Sequence, residues 1–456
     1  MLAPIAAAII FVAMFVLIVA DKIERHIVTL GCGLLTLVAV FIVIRGFDFT
    51  AIWETLSLQS FGELSFWWAD PNVTHEGGHG GIDWATILFI AGMMVMVEGM
   101  AKSGFFRWLC MLLAKLVNYK SVPLFIAFMV MSAALAMFID SITVILFLAA
   151  ITIELARLLK FNPVPMIISE IFCANLGGSA TMCGDPPNII IGSALGYSFT
   201  DFLTNTGLIA GISLIAVVLY FYLVNRKTLK EADMVEKDLS VMPTPASAIV
   251  NMKDFIISIC IFLLAVVLLV THAQTGLSVA TIGVGIAIIT IIAAGKDIPH
   301  IFKGVDYKTL LFFVGLFIII GGLEASGGIK LMAEWLLKVT NGSQEATSMV
   351  ILWGSGIISG IIDNIPYTAT MSPMLVEIQK TMGADYTYPL WWSLSLGACL
   401  GGNMTIIGAA ANVIVSENAA KEGKPIGFLQ FMKYGVPIVI ISLIISSAYV
   451  YFRYLN

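Results

Sequence analysis

Charge is scarce in this chain. Only 12% of its 456 residues are Asp, Glu, Lys or Arg, while 59% are hydrophobic. A soluble chain carries about twice that charge, so a soluble globular domain is excluded. No basic cluster offers a footprint for nucleic acid, and the net charge of −5 is spread over loops. Cysteine pairs are missing too. Cys32, Cys110, Cys173, Cys183, Cys260 and Cys399 have no paired spacing and read as small packing residues, not as a disulfide frame or metal site. There is no Gly-x4-Gly-Lys-[Ser/Thr] loop, triad spacing or zinc signature. These absences argue against an ATP-driven pump within the chain and against intramembrane proteolysis, so no enzyme activity and no cofactor are expected; an ATPase on a separate chain stays open. No basic stretch precedes the first apolar run, which is therefore expected to be a retained span, not a cleaved signal.

What the chain has is apolar length and repetition. Runs such as 5–20, 27–44, 255–270 and 436–451 are of roughly bilayer-spanning length, so an all-α polytopic membrane protein is expected. Its partners are then the lipid bilayer and a small inorganic ion. Phe138-Ile139-Asp140-Ser141-Ile142-Thr143 is echoed by Ile361-Ile362-Asp363-Asn364-Ile365-Pro366. Gly177-Gly178-Ser179-Ala180-Thr181 through Asp185-Pro186-Pro187-Asn188 is echoed by Gly401-Gly402-Asn403-Met404-Thr405 through Asn412. Asp83 matches Asp306, Ser103-Gly104 matches Ser326-Gly327, and Glu154 matches Glu377 at the same spacing. Paired, broken hydrophobic segments at corresponding positions of two halves point to a transporter's binding site.

The expected organisation is a first repeat over 1–225, a cytoplasmic linker over 226–253 and a second, inverted repeat over 254–456. The first repeat holds a re-entrant hairpin at 122–159 and a broken helix at 164–196; the second holds them at 347–380 and 388–418. Amphipathic segments are expected at 105–119 and 329–340. A hairpin enters and leaves on one side, so each half crosses five times, giving about ten crossings with two hairpins and two broken helices. Placing both termini outside leaves only Arg45, Lys330, Lys338, Lys380 and Arg453 of the 24 basic residues on the outer face, as the positive-inside rule favours. The acidic segment 46–81 becomes an outer loop. Its His75 and His79 are spaced for a metal site, although the surrounding glycines read more simply as a flexible turn.

Non-helical backbone survives at membrane depth only where protein or a cavity buries it. A broken helix frees carbonyls at one half-helix end and N–H groups at the other, which suit a cation and an anion respectively. The candidate ion ligands are Asp140, Ser141, Thr143, Ser179, Thr181, Asp185 and Asn188 in one half. Their counterparts are Asp363, Asn364, Thr368, Asn403, Thr405 and Asn412. Asp140, Ser141, Asp363 and Asn364 are the candidates for Na⁺. An unpaired charge at bilayer depth costs at least about 2.5–3.5 kcal/mol, so intramembrane carboxylates mark function. The hairpin aspartates also suit N-capping of the return limbs, and Asp185-Pro186-Pro187 suits a plain turn. Glu98 reads as a snorkelling or relay group, and Glu154 and Glu377 as interfacial. A thiol ligand role for Cys173, Cys183 or Cys399 competes with small-residue packing.

The segment from Gly177 to Asn188 resembles the first signature of the ArsB/NhaD ion-permease family, within the ion transporter superfamily. Asp363 to Met371 and Leu396 to Asn403 resemble its second-half signatures. The likeness runs from about Asp83 to Gly435 and is nearest the branch containing the pink-eyed dilution P protein. It implies a scaffold and a moving transport domain, a substrate site at the hairpin tips and breaks, and secondary-active ion movement in the cell membrane. A homodimer through the scaffold is implied on the same footing. Three functions follow. The first is a carrier for an arsenite- or antimonite-type oxyanion coupled to H⁺ or Na⁺; the alternative is a Na⁺/H⁺ antiporter, and a third is an ion channel.

Overall fold

The computed structural model describes residues 2–20, 22–68, 81–233 and 244–456. Asp70, His75, Glu76 and His79 of the outer loop and residues 234–243 of the linker lie outside the described residues. Among the described residues there is no strand, only helices and one isolated bridge between Trp68 and Leu277. Ten helices are long and apolar enough to cross a membrane. A helix satisfies its own backbone in hydrocarbon, and this is a multi-pass membrane protein.

Those ten are not the ten expected from sequence. They include one limb of each hairpin, Ser141–Leu159 and Gln344–Ile362, and omit both broken helices. The reasons are length and composition: each of these two limbs is an apolar helix of 19 residues, about 28 Å at 1.5 Å per residue. Ala384–Gly401 is nearly as long but too polar, and the other three halves of the broken helices are shorter. The first break separates Val164–Gly178 from Pro186–Leu195, and the second separates Ala384–Gly401 from Ala410–Lys421.

The two halves are built alike. Each third span, Trp84–Ser103 and Tyr307–Ala325, starts on an aspartate cap. Asp83 accepts from Thr86 N at 3.0 Å and Thr86 Oγ1 at 2.6 Å; Asp306 accepts from Thr309 N at 3.2 Å and Thr309 Oγ1 at 2.6 Å. A short helix follows each, Phe105–Leu116 and Gly328–Val339, and then the hairpins. The hairpin limbs are Ser121–Ala136 with Ser141–Leu159, and Gln344–Ile362 with Asn364–Met382.

The spans exchange partners between halves. Trp84–Ser103 packs on Val279–Ala294, and Tyr307–Ala325 packs on Arg25–Thr36. Both crossings need glycine. A Cβ on Gly92 would lie 2.1 Å from Gly283 O, and one on Gly315 would lie 2.7 Å from Thr29 O. Small residues that let backbones touch drive helix association in lipid. The hairpins exchange in the same manner: Ser141–Leu159 packs on Ala410–Lys421, and Asn364–Met382 packs on Pro186–Leu195.

Contacts between loops join residues that the charge count places on one side. Trp67 O accepts from Ser278 N at 3.3 Å and Thr281 Oγ1 at 2.6 Å on the outer face. On the inner face, Lys102 pairs with Asp297 at 2.5 Å, Lys308 with Glu24 at 2.8 Å and Arg157 with Glu422 at 2.5 Å.

Candidate functional site

Each hairpin turns at an aspartate that caps the return limb. Asp140 accepts from Ile142 N at 2.9 Å and Thr143 N at 3.3 Å, and Thr143 Oγ1 donates to it as well. Asp363 accepts from Ile365 N at 3.1 Å. The symmetry ends there. Asp140 sits at an ordinary φ of −52°, whereas Asp363 is held at φ +109°. A non-glycine residue in that region stores strain of about 1–3 kcal/mol, and such strain gathers at functional sites. The Asp363 carboxylate also takes a partner no local reading suggests. Arg25 Nη1 lies 2.5 Å from Asp363 Oδ2, across 338 residues of sequence.

Three elements converge here. Asn364 Nδ2 donates to Asp185 Oδ2 at 3.0 Å, tying the second hairpin tip to the first break. Asp140 and Asp363 both lie close enough to Asp185 to interact with it electrostatically. Asp185 and Asp363 are buried and Asp140 is partly buried. Among the described residues, no three His, Cys, Asp or Glu side chains are placed to share one metal ion. Any cation at Asp140 with Ser141, or at Asp363 with Asn364, would therefore complete its shell with hydroxyl, amide and carbonyl oxygens. Beside Asp140 lies a cavity of about 20 Å³, lined among others by Cys183, Pro186, Thr309 and Phe313. That is room for about one water molecule, or for a bare ion.

The other candidates hold the breaks together. Asn188 Nδ2 donates to Thr181 O at 2.9 Å, and to Gly178 O and Ser179 O at 3.3 Å. Asn412 Nδ2 donates to Gly402 O at 2.8 Å and Thr405 O at 2.9 Å. Carbonyls freed by each break are thus already paired by an asparagine one loop later, as buried backbone groups must be. Thr181 Oγ1 donates to Met137 O at 2.5 Å and Thr405 Oγ1 to Gly360 O at 2.7 Å, binding each loop to its hairpin. Ser179 Oγ donates to Leu176 O at 2.7 Å within its own helix. Asn403 donates to Phe172 O at 3.3 Å. Thr368 alone of the set has a buried hydroxyl without a protein partner.

Several residues in this region carry no role in the sequence reading. Asn175 Nδ2 reaches Asn403 Oδ1 at 2.9 Å and Asn412 Oδ1 at 3.1 Å, and Ser395 Oγ reaches Asn188 Oδ1 at 2.7 Å. Glu170 is fully buried, takes a bond from Thr152 Oγ1 at 2.6 Å, and leaves Oε2 without a partner. Their signal is a polar residue inside an apolar run, the same signal that marks Asp140. Arg25 has none, since it opens a span at the inner face, where a basic residue is unremarkable.

The tips lie against the first turns of two spans. Asp363 touches the first residue of the helix Arg25–Thr36, and Asp140 shares a cavity with the third residue of Tyr307–Ala325. The charge count puts both of these helix ends on the inner side. Limbs of spanning length do not specify the depth of their tip.

The remaining acidic candidates are peripheral. Glu98 is partly buried with His300 Nδ1 3.6 Å away, and Glu154 pairs with Arg107 at 2.6 Å. Arg107 and Glu154 are 50% and 37% exposed, and an exposed pair contributes under about 1 kcal/mol. Glu154→Gln is expected to transport at the wild-type rate and melt within a few degrees of it, measured by flux and thermal unfolding. Of the cysteines, Cys260 is exposed and the other five are buried.

The model for the CitMHS citrate transporter family matches residues 15–397. The chain belongs to the citrate transporter family. That places it in the ion transporter superfamily, through the citrate transporters' family model and not the ArsB/NhaD permeases'. An uncharacterised transporter of Mycobacterium tuberculosis is 32% identical over 99% of this chain and 98% of its own length. The P protein of Homo sapiens is 27% identical over 86% of this chain and 56% of that protein. The crystal structure of the YdaH transporter of Alcanivorax borkumensis, described as having an unusual topology, superposes with a TM-score of 0.59 at 13% identity. It covers 98% of this chain and 97% of that one, and so shares the fold. The chain is a non-enzymatic membrane transporter.

Proposed function

We propose that this transporter is a secondary-active carrier that takes a small monovalent cation, Na⁺ or H⁺, at its hairpin-tip carboxylates and exchanges the two by alternating access. One observation carries the reading: Asp363 turns one hairpin tip and pairs with Arg25, the neighbouring Asn364 is bonded to Asp185, and Asp140 turns the other tip with no cationic partner among its hydrogen bonds. Such a site has an excess of negative charge, and burial of uncompensated carboxylates is expensive. A cation or proton removes the excess. An arsenite-type oxyanion finds less support, because the amide donors at both breaks are committed to loop carbonyls. A cavity of about 20 Å³ beside Asp140 fits an ion in this conformation.

The family description supports a second reading, in which the cargo is a carboxylate anion such as citrate. Arg25 then supplies the two-pronged donor that a carboxylate prefers. The anion would enter with a compensating cation held by Asp140 and Asp185, after the tips have parted.

The test uses full-length protein in proteoliposomes with a trapped pH-sensitive dye. Na⁺ pulses are expected to move protons the opposite way, and Li⁺ or K⁺ pulses report selectivity. Citrate accumulation without Na⁺-evoked proton movement would favour the second reading. Arsenite flux indifferent to Na⁺ and pH, or a current that ignores any coupling gradient, would sink both.

A further inference from the structure

The Arg25–Asp363 pair joins two bodies. Arg25 opens a span that packs on Tyr307–Ala325, while Asp363 turns a hairpin whose limbs pack on the broken helix Ala384–Gly401. The pair is short, at 2.5 Å, and asymmetrically buried: the carboxylate is 2% exposed and the guanidinium 19%. The helix Val279–Ala294, which packs on the first half's third span as Arg25–Thr36 packs on the second's, opens on uncharged Val279 after Ser278. Only one of the two pseudo-equivalent tips therefore meets a guanidinium, and it is the one with the strained backbone. Asp140, at the other tip, makes all its polar contacts within its own turn.

We propose that Arg25 is a tethered competitor of the transported cation: its guanidinium fills the Asp363 subsite in the empty carrier and clamps the second hairpin to the scaffold. This rests on the cation reading above. A Na⁺ ion or a proton reaching Asp363 replaces one positive charge by another, so the carboxylate never stands bare. The displaced guanidinium has a short route to water, since a long cationic side chain snorkels readily. Release frees the strained tip, and the hairpin can then move with its cargo. An empty carrier stays clamped, which makes exchange obligatory. The charged groups facing Asp363 are Arg25 from the scaffold span and Asp185 from the first break.

The shared chemistry is a monovalent positive charge, and two arms separate its sources. Thermal unfolding of purified full-length protein is titrated with NaCl at fixed pH, with choline chloride holding ionic strength. It is then titrated with pH in choline chloride alone. A ligand that binds only the native state raises the melting temperature, so each arm yields a midpoint. A competitor that occupies the site most of the time weakens apparent affinity by the fraction left open, so Arg25→Gln should sharpen the midpoint by about tenfold or more. Arg25→Lys, a point charge without the planar fork, should move it the same way by less. If Arg25→Gln does not yield folded protein, Arg25→Lys alone decides. Asp363→Asn should erase the response in whichever arm carries it.

Unchanged midpoints in both Arg25 variants, with the response still lost in Asp363→Asn, would overturn the clamp and leave the cation site standing. A response lost in Arg25→Gln and restored in Arg25→Lys would make Arg25 a required ligand, and so also overturn it. A wild-type response in Asp363→Asn would bring down both the clamp and the site.

Discussion

Asp363→Asn should reduce cation-coupled flux to the level of empty liposomes while the protein still inserts and folds. Asn keeps the shape of Asp and can still accept from Ile365 N, the cap that starts the return limb. It cannot present a negative charge, so neither a cation nor a proton is held at that tip. Removing one partner of a buried ion pair ordinarily costs about 3–5 kcal/mol, because the other is left uncompensated. Here the survivor is Arg25, already 19% exposed. It can turn to water at the inner face, so the stability loss should be far smaller, about 1 kcal/mol by the exposed-pair scale. Flux and melting temperature measured on the same preparation separate the two effects. Wild-type coupled flux from Asp363→Asn would remove this residue from the mechanism.

The inverted repeat was legible because it is written in side chains that hydrocarbon penalises. Asp140 and Asp363, or Asn188 and Asn412, stand out against apolar neighbours and recur at one spacing. The structure places each pair at equivalent turns. What those residues do was less legible. A polar group in an apolar segment says that a partner is needed, not which partner. Asn188 and Asn412 read as candidate ion ligands, and their amides bond the carbonyls that the breaks set free. The helix ends that the tips meet are not legible either, since limbs of 19 residues can bring a turn to any level of a neighbouring span. Nor is the Arg25 contact. It spans 338 residues and depends on how the hairpin packs beside the span Arg25–Thr36, a tertiary relation that local pattern does not encode. The outcome shifts the chemistry: one of the two tip carboxylates is met by an arginine.

The break loops carry the second large effect. Asn188 lies within a span-like unit, and its side chain makes good bonds in two directions. Its amide closes on Thr181 O at 2.9 Å, and its carbonyl oxygen takes Ser395 Oγ at 2.7 Å from the opposite broken helix. Asn188→Leu preserves volume and apolar burial but strands both of those partners. Each buried polar group left without a bond costs about 1–3 kcal/mol, and no water is at hand in the bilayer core to replace it. The summed loss, about 2–6 kcal/mol by the same scale, approaches the whole stability of a typical domain. Asn188→Leu should therefore melt well below wild type and lose transport together with the fold. Asp363→Asn differs in kind, losing transport with the fold kept. Cys399→Ala removes a 3.5 Å thiol contact to the same Asn188 oxygen and a thiol interaction with Asp185, both from a weak donor, and should melt close to wild type. A stable, inactive Asn188→Leu would mean that the first break holds its shape without this amide, and that Asn188 serves the ion directly.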